Sequence, residues 1–371
     1  MPKKILAFDI IPLVVPIILI VLGVSVIYSL LIGGGNSGLI YKQIALGIIG
    51  IFIMIFVSFS DYRFFKGTSW IFYGISLILL VVVLFIGKTT NGATNWLDLK
   101  VFQLQPSEIA KVFLITSLAV YFSERIGKMT WRDVIFSFII FAVPLVLVLM
   151  EPDLGTALVM CFIYLILLLL TKLDRKKIAV IFLSIAIVLT TFGLAVFNVK
   201  PFSKILKDYQ RSRIMVFIDP KTDPLGRGYN VRQAQITIGS GGAFGKGLGR
   251  GTQSQLQFLP EAHTDFIFAG IAESFGFVGV FIVITLYSFF LLKILDIANI
   301  SRDNFGMLTT FGIVSMFFFQ IIINIGMNIG LAPVTGIPLP FLSYGGTSLI
   351  VSLFAAGLVE SVFIRHKKIT F

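Results

Sequence analysis

Three short stretches hold most of the residues that could do chemistry in this chain. They are QPSEIAK (Gln105 to Lys111), EPDLGTAL (Glu151 to Leu158) and LPEAHTDFIF (Leu259 to Phe268). Glu108 and Lys111 are three residues apart, so on a helix they share a face. A lysine one turn inside an apolar helix is costly and is therefore paired or functional. Pro106 suits a first helical turn, which puts Glu108 near the positive end of the helix dipole. Asp153 can cap the helix that follows it. Asp265 stands where a polar loop meets an apolar run, with Glu261 four residues before it and Glu273 beyond it. With Thr264 it could cap that run. Alternatively, a carboxylate with a raised pKa at a water–bilayer boundary could act as a general base.

A fourth stretch, GSGGAFGKGLGRG (Gly239 to Gly251), carries Lys246 and Arg250. Its backbone N–H groups could cradle a phosphate. It is not a P-loop: Ser240 stands six residues before Lys246 where Gly is required, and Gly247 follows where Ser or Thr is required. The plainer reading is a flexible, turn-rich loop.

The elements that must position these residues are membrane helices. Of 371 residues 57% are hydrophobic and 13% charged, with mean hydropathy +0.98, against about a quarter charged in soluble domains. Runs of about 20 apolar residues recur along the chain. Ten spans are predicted, centred near Leu22, Ile49, Leu79, Leu114, Phe141, Tyr164, Ile187, Val280, Phe318 and Leu353. The first, from about Ile10 to Ile32, is too long for a signal h-region. With the N-terminus inside, sixteen Lys and Arg fall in short inner segments and three in short outer ones. That asymmetry predicts both termini in the cytoplasm. The expectation is therefore an all-α polytopic membrane protein, a single domain over residues 1–371. One large extracytoplasmic loop, residues 198–264, lies between spans seven and eight.

That loop holds ten basic and four acidic residues, on the side without the usual basic bias, which suits an anionic ligand such as a diphosphate. The net charge of +12 otherwise belongs to loops and headgroups, and no basic stripe with interleaved aromatics suggests nucleic acid. The one cysteine, Cys161, is expected to be a small buried hydrophobe. Two histidines, His263 and His366, exclude a zinc site of the usual kind, while Mg2+ or Mn2+ held by carboxylates is compatible with the sequence. NIGLAPVTGIPLPFLSYGGTS (Asn328 to Ser348) has no charge, and Pro333, Pro338 and Pro340 forbid a regular helix through it. It reads as a membrane-apposed loop against protein or a wet cavity.

The polar groups thus gather at the outer face. They suit an enzyme acting on a lipid-linked anionic substrate. A flippase or transporter would want polar groups near the midplane, and a scaffold would leave Lys111 without a reason.

At these residues the chain resembles the SEDS family (shape, elongation, division and sporulation), and its RodA-like branch more than its FtsW-like one. The resemblance runs nearly end to end. It rests on QPSEIAK, EPDLGTAL, YQRSRIMVFIDP (Tyr209 to Pro220), GSGGAFGKGLGRGTQSQLQFLPEAHTDFIFA (Gly239 to Ala269) and PVTGIPLPFLSYGGTS (Pro333 to Ser348). It implies a ten-span peptidoglycan glycosyltransferase that polymerises lipid II in the bacterial cytoplasmic membrane. The implied partners are a class B penicillin-binding protein and other membrane proteins of the elongation complex. It marks Asp265 as the catalytic acid, and Glu108, Lys111 and Asp153 as sensitive positions. Lys111, Arg213 or Lys246, or a divalent ion, would meet the leaving diphosphate, with Glu261 beside the substrate. Two departures stand out: Thr94 and Asn95 occupy places where relatives carry arginines, and Glu151 stands where Gln is common.

Overall fold

Long apolar stretches without internal turn residues must satisfy their own backbone groups in lipid, and helices are the way to do it. The computed structural model describes residues 8–31, 38–90, 93–98, 103–197, 199, 211, 215–219, 222–224, 226–256 and 258–366. Its first seven helices are α1 (Ile10–Leu31), α2 (Gly38–Phe59), α3 (Tyr62–Ile86), α4 (Pro106–Ser123), α5 (Trp131–Met150), α6 (Leu154–Leu169) and α7 (Arg175–Val196). The long connection after α7 carries α8 (Arg227–Ser240) and the short α9 (Thr252–Gln255). α10 (Ile267–Asn299), α11 (Asn304–Ile329) and α12 (Gly346–Ile364) complete the bundle.

Eight of these helices (α1, α2, α3, α5, α7, α10, α11 and α12) are long and apolar enough to cross a membrane, and α6 is a shorter apolar helix. α4 has 18 residues and carries Glu108 and Lys111. Each of the ten centres read from the sequence lies inside one of these ten helices. Large hydrophobics such as Phe52, Phe56, Phe85, Leu183 and Phe281 point outward, as lipid contact requires. The chain is a multi-pass membrane protein. Cys161 corrects the expectation of a buried thiol: it lies exposed on α6, which is lipid-facing rather than core.

The all-helical expectation also missed a small antiparallel sheet in the order β1 (Lys88–Thr90), β2 (Ala93–Asp98), β3 (Gln103–Leu104). It links α3 to α4, with Leu97 paired to Leu104 and buried.

α4 is the hub. Most of its residues are buried, and it packs against α3, α5, α6, α11 and α12. This explains its weak apolar signal: Ser107, Thr116, Ser117 and Ser123 face protein, not lipid. α2 lies along α12 in the most extensive helix pairing. Glycine makes that seam possible, because a Cβ on Gly357 would come 2.5 Å from the Met54 carbonyl oxygen.

The two ends of the described chain meet at one end of the bundle. The Asp9 N–H donates to Glu360 Oε1 (2.8 Å), and Lys293 pairs with the Asp9 carboxylate (2.8 Å). Beside them Tyr62 donates to Asp303 (2.6 Å). α7 stands apart, almost wholly exposed, its first turn tied by Lys177 to Asp174 (2.9 Å) and to the Met129 carbonyl.

Overpacking the α2–α12 seam with Gly357→Val is expected to cost about 1–3 kcal/mol, seen as a lower melting temperature in detergent. Gly74→Ala, which has open space around it, should melt with the parent. Equal melting of both variants would contradict the tight seam.

Candidate active site

The polar residues of the opposite end interlock through four helix termini. α4 starts at Pro106, with Gln105 as its N-cap residue. The Gln105 N–H donates to Thr347 Oγ1 (3.1 Å), and that hydroxyl donates to the Gln103 carbonyl (2.9 Å). This fastens the head of α4 to the head of α12. Asp153 caps α6, as its spacing allows: its carboxylate accepts from the Thr156 N–H (3.0 Å) and hydroxyl (2.8 Å). The same carboxylate accepts from Gln105 Nε2 (3.3 Å) and Ser107 Oγ (3.4 Å). Capping and cross-linking are one contact. One turn deeper, Lys111 Nζ lies 2.7 Å from Glu108 Oε1, with 1% and 3% of the side chains exposed. Burial of one charge is offset only by the other.

The Pro/Gly segment between α11 and α12 fits over these heads. A Cβ on Gly155 would stand 2.7 Å from the Thr335 carbonyl oxygen, so the α6 head touches the segment directly. The next residue, Gly336, has φ +75°, and its Cβ position lies 3.6 Å from Asp265 Oδ2. Thr335–Gly336 therefore joins the Asp153 turn to Asp265.

Asp265 is half-buried in the turn before α10. Its carbonyl accepts from Asn324 Nδ2 (3.0 Å) and Asn328 Nδ2 (3.1 Å). Asn324 also donates to the Ile337 carbonyl (2.8 Å), and Asn328 Oδ1 accepts from the Ala269 N–H (3.2 Å). Ser343 Oγ donates to the Thr264 carbonyl (2.7 Å), and the Tyr344 N–H to the His263 carbonyl (2.8 Å). The capping expectation for Asp265 is corrected: α10 is capped by Phe266, with no side-chain cap bond. Asp265 sits one residue before it, at the head of α10. Glu261, exposed at φ +53°, accepts from Thr264 Oγ1 (3.2 Å).

The glycine-rich stretch is a docked segment rather than a floppy loop. α10 breaks its helical geometry at Gly276 (φ 66°, ψ −162°), and the stretch docks into the break. The Phe277 and Val278 N–H groups donate to Gly242 and Ala243, while those of Lys246 and Gly247 donate to Glu273 and Ser274. The Gly249 N–H goes to Ser29 Oγ (2.7 Å). Lys246 Nζ donates to Ser240 (2.9 Å), Thr252 (2.9 Å) and Glu273 (3.1 Å). Three ammonium protons with three acceptors make Lys246 a structural pin. Glu273, fully buried, further accepts from the Gln253 N–H (2.9 Å), the Ser254 N–H (3.1 Å) and the Ser254 hydroxyl. Arg213 lies outside the described residues.

Glu151 is fully buried in the α5–α6 turn, and neither oxygen has a partner among the described residues. Burial, with the Asp153 charge adding to it, pushes its carboxyl up to about 9. Pro152 between the two acids has φ +33°, a strained value for a pyrrolidine ring. On β2, Asn95 is buried with its Oδ1 unpartnered among the described residues.

Comparison with known proteins shows the family. A family profile described as cell cycle protein, the FtsW/RodA/SpoVE family, matches residues 5–368. The chain belongs to this family. It is similar to peptidoglycan glycosyltransferase MrdB of Escherichia coli K12, 37% identical over 364 residues, covering 96% of this chain and 95% of that one. It is 34% identical to peptidoglycan glycosyltransferase RodA of Treponema pallidum, with 97% and 98% covered. Among solved structures it resembles one described as coordinating polymerization and crosslinking in a peptidoglycan synthase complex (TM-score 0.82, 31% identity, 97% and 98% covered). The rod shape determining protein RodA of Thermus thermophilus is also similar (TM-score 0.70, 27% identity, 98% of each chain).

Within this FtsW/RodA/SpoVE-type fold, the structure adds residues that the sequence reading left in the background. Asn324 and Asn328 are the clearest. Their signal was available: two carboxamides four residues apart on one face of an apolar helix. Glu273 carried a similar signal, an acid just inside a span and close to a basic loop.

Two measurements check these contacts. Lys111→Met alone leaves Glu108 buried without its cation and should cost about 3–5 kcal/mol in detergent. Adding Glu108→Leu should restore most of that melting temperature. A single variant that melts with the parent would show that the pair is not buried together. Glu273→Ala should expose the 239–256 segment to limited proteolysis while α1 to α7 stay protected. Unchanged cleavage would contradict the pin.

Proposed function

We propose that this chain is a peptidoglycan glycosyltransferase that joins lipid II units into β-1,4 glycan strands at the outer face of the bacterial cytoplasmic membrane. The observation that carries the reading is Asp265: a half-buried acid at the head of α10, its backbone held by Asn324 and Asn328. The similarity to named peptidoglycan glycosyltransferases supports the reaction class. The sixteen-to-three distribution of short-loop basic residues supports the outer face.

The donor sugar is α-linked to a diphosphate and the product link is β, so C1 inverts in a single displacement. Asp265 takes the proton of the acceptor 4-hydroxyl. The new oxygen–C1 bond forms as the C1–phosphate oxygen bond breaks, and the diphosphate leaves with the electron pair. The hydroxyl sits on a headgroup whose carrier lies in the bilayer, so the base belongs where a loop meets a span. Positive charge for the diphosphate comes from the basic long connection, including the exposed Arg250, and not from Lys246. Lys111 is paired with Glu108 at the α4 head. Among the described residues no three His, Cys, Asp or Glu side chains come together, and no step is routed through a metal ion.

A flippase is less favoured. Every charged side chain within the ten spans lies within two turns of a helix end, whereas transporters place polar sites at the midplane. The partner we propose is a class B penicillin-binding protein, supported by the similarity to a complex that combines polymerization with crosslinking. Other elongation-complex membrane proteins would join it.

The test is lipid II polymerisation by the purified pair with the transpeptidase blocked. Asp265→Ala and Asp265→Asn should lower the rate at least about 100-fold, the scale of a lost general base, while the pair still co-purifies. Equal polymer from wild type and Asp265→Ala would remove Asp265 from the mechanism.

A further inference from the structure

Glu151 is the buried titratable group that the proposed reaction leaves unused. Its side chain is wholly enclosed, and no described group donates to or accepts from either oxygen. An ionised carboxylate in that position would be a desolvated charge with nothing to offset it. The nearest acid, Asp153, lies two residues on and is committed to holding the heads of α6 and α4 together.

Among the described residues, the charged groups on the neighbouring elements give Glu151 no cation. On α4, Lys111 is taken by Glu108. Arg132 and Asp133 lie at the far end of α5, and α11 has no charged residue between Asn304 and Ile329. The segment from Gly330 to Gly345 has none either, α3 carries Arg63 and Lys66 only at its far end, and neither Lys88 and Asp98 on the sheet nor any other described residue bonds a Glu151 oxygen.

We infer that Glu151 works as a neutral carboxylic acid, a positioning residue that keeps the Asp153 turn seated under Thr335–Gly336, and that ionising it loosens the turn. It touches no substrate; it acts through Asp153. The proposal rests on the reading of this end as the active site, but its first readout needs no catalysis.

The sign follows from proton binding. A carboxyl raised to about 9 in the folded protein, against about 4.3 in an unfolded chain, keeps its proton longer when folded. Stability from this group is full below the unfolded value and is lost as pH rises through the folded one.

The experiment is thermal melting of the detergent-purified chain from pH 5 to pH 10, for wild type, Glu151→Gln and Glu151→Ala. Gln has the shape of the protonated acid and cannot ionise. The melting temperature of Glu151→Gln should exceed that of wild type by a margin that widens up to about pH 9. Polymerisation with the partner protein should lose its alkaline limb in Glu151→Gln, and Glu151→Gln should keep at neutral pH what Glu151→Ala loses by tenfold or more. A constant melting difference between wild type and Glu151→Gln across this range would overturn the proposal, whatever the assay of polymer shows. So would a Glu151→Gln variant as damaged as Glu151→Ala.

Discussion

The Asp153 carboxylate is the contact on which the polar end of this molecule depends. It accepts from two groups of Thr156, from Gln105 and from Ser107. One acid thus closes the head of α6 and pins the head of α4. Without it the first-turn N–H groups of α6 would face a poorly hydrated interior without a partner. Because α4 is the central helix, its pinned head sets where Glu108 and Lys111 sit. The Pro/Gly segment then rests on the same head through Gly155 and reaches Asp265 through Gly336. The base proposed for catalysis is therefore located through the Asp153 cap.

Close approach of backbones does the rest of the positioning. A Cβ on Gly23 would lie 2.5 Å from the Leu342 carbonyl oxygen, and one on Gly155 2.7 Å from that of Thr335. Between membrane helices there is little hydrophobic drive, so small residues and buried hydrogen bonds carry the association. The carboxamides of Gln43, Asn324 and Asn328 serve this end. Gln43 bridges α2 to Ser343 (3.2 Å), and the two asparagines bridge α11 to the start of α10. The result is a hydrogen-bonded floor under Asp265, whereas α7 shares little with the core.

The glycine-rich stretch shows why charge in a loop is weak evidence for a ligand. Lys246 looked like a phosphate ligand because it lies among glycines on a basic, outward loop. In the fold the glycines serve close docking on α10 at the Gly276 break, and the lysine serves Glu273. A buried acid inside a span needs a cation more than a solvated loop needs an anion. Lys246 therefore binds inward.

The sequence by itself determined the membrane architecture, because span length and apolarity are local properties set by bilayer thickness. It also determined the cap at Asp153 and the Glu108–Lys111 pair, since both depend on residues three apart along one helix. It picked Asp265 out by its place at a loop–span boundary, although the cap it suggested belongs to Phe266. Only the tertiary structure decided what lies across from these residues. The partners of Lys246 are 6 to 27 positions away, those of Gln43 about 300, and the asparagines that hold Asp265 stand about 60 residues on. No period or spacing encodes such separations. Helix packing alone sets which polar groups meet, and in a medium without water each buried group must take the partner that packing brings.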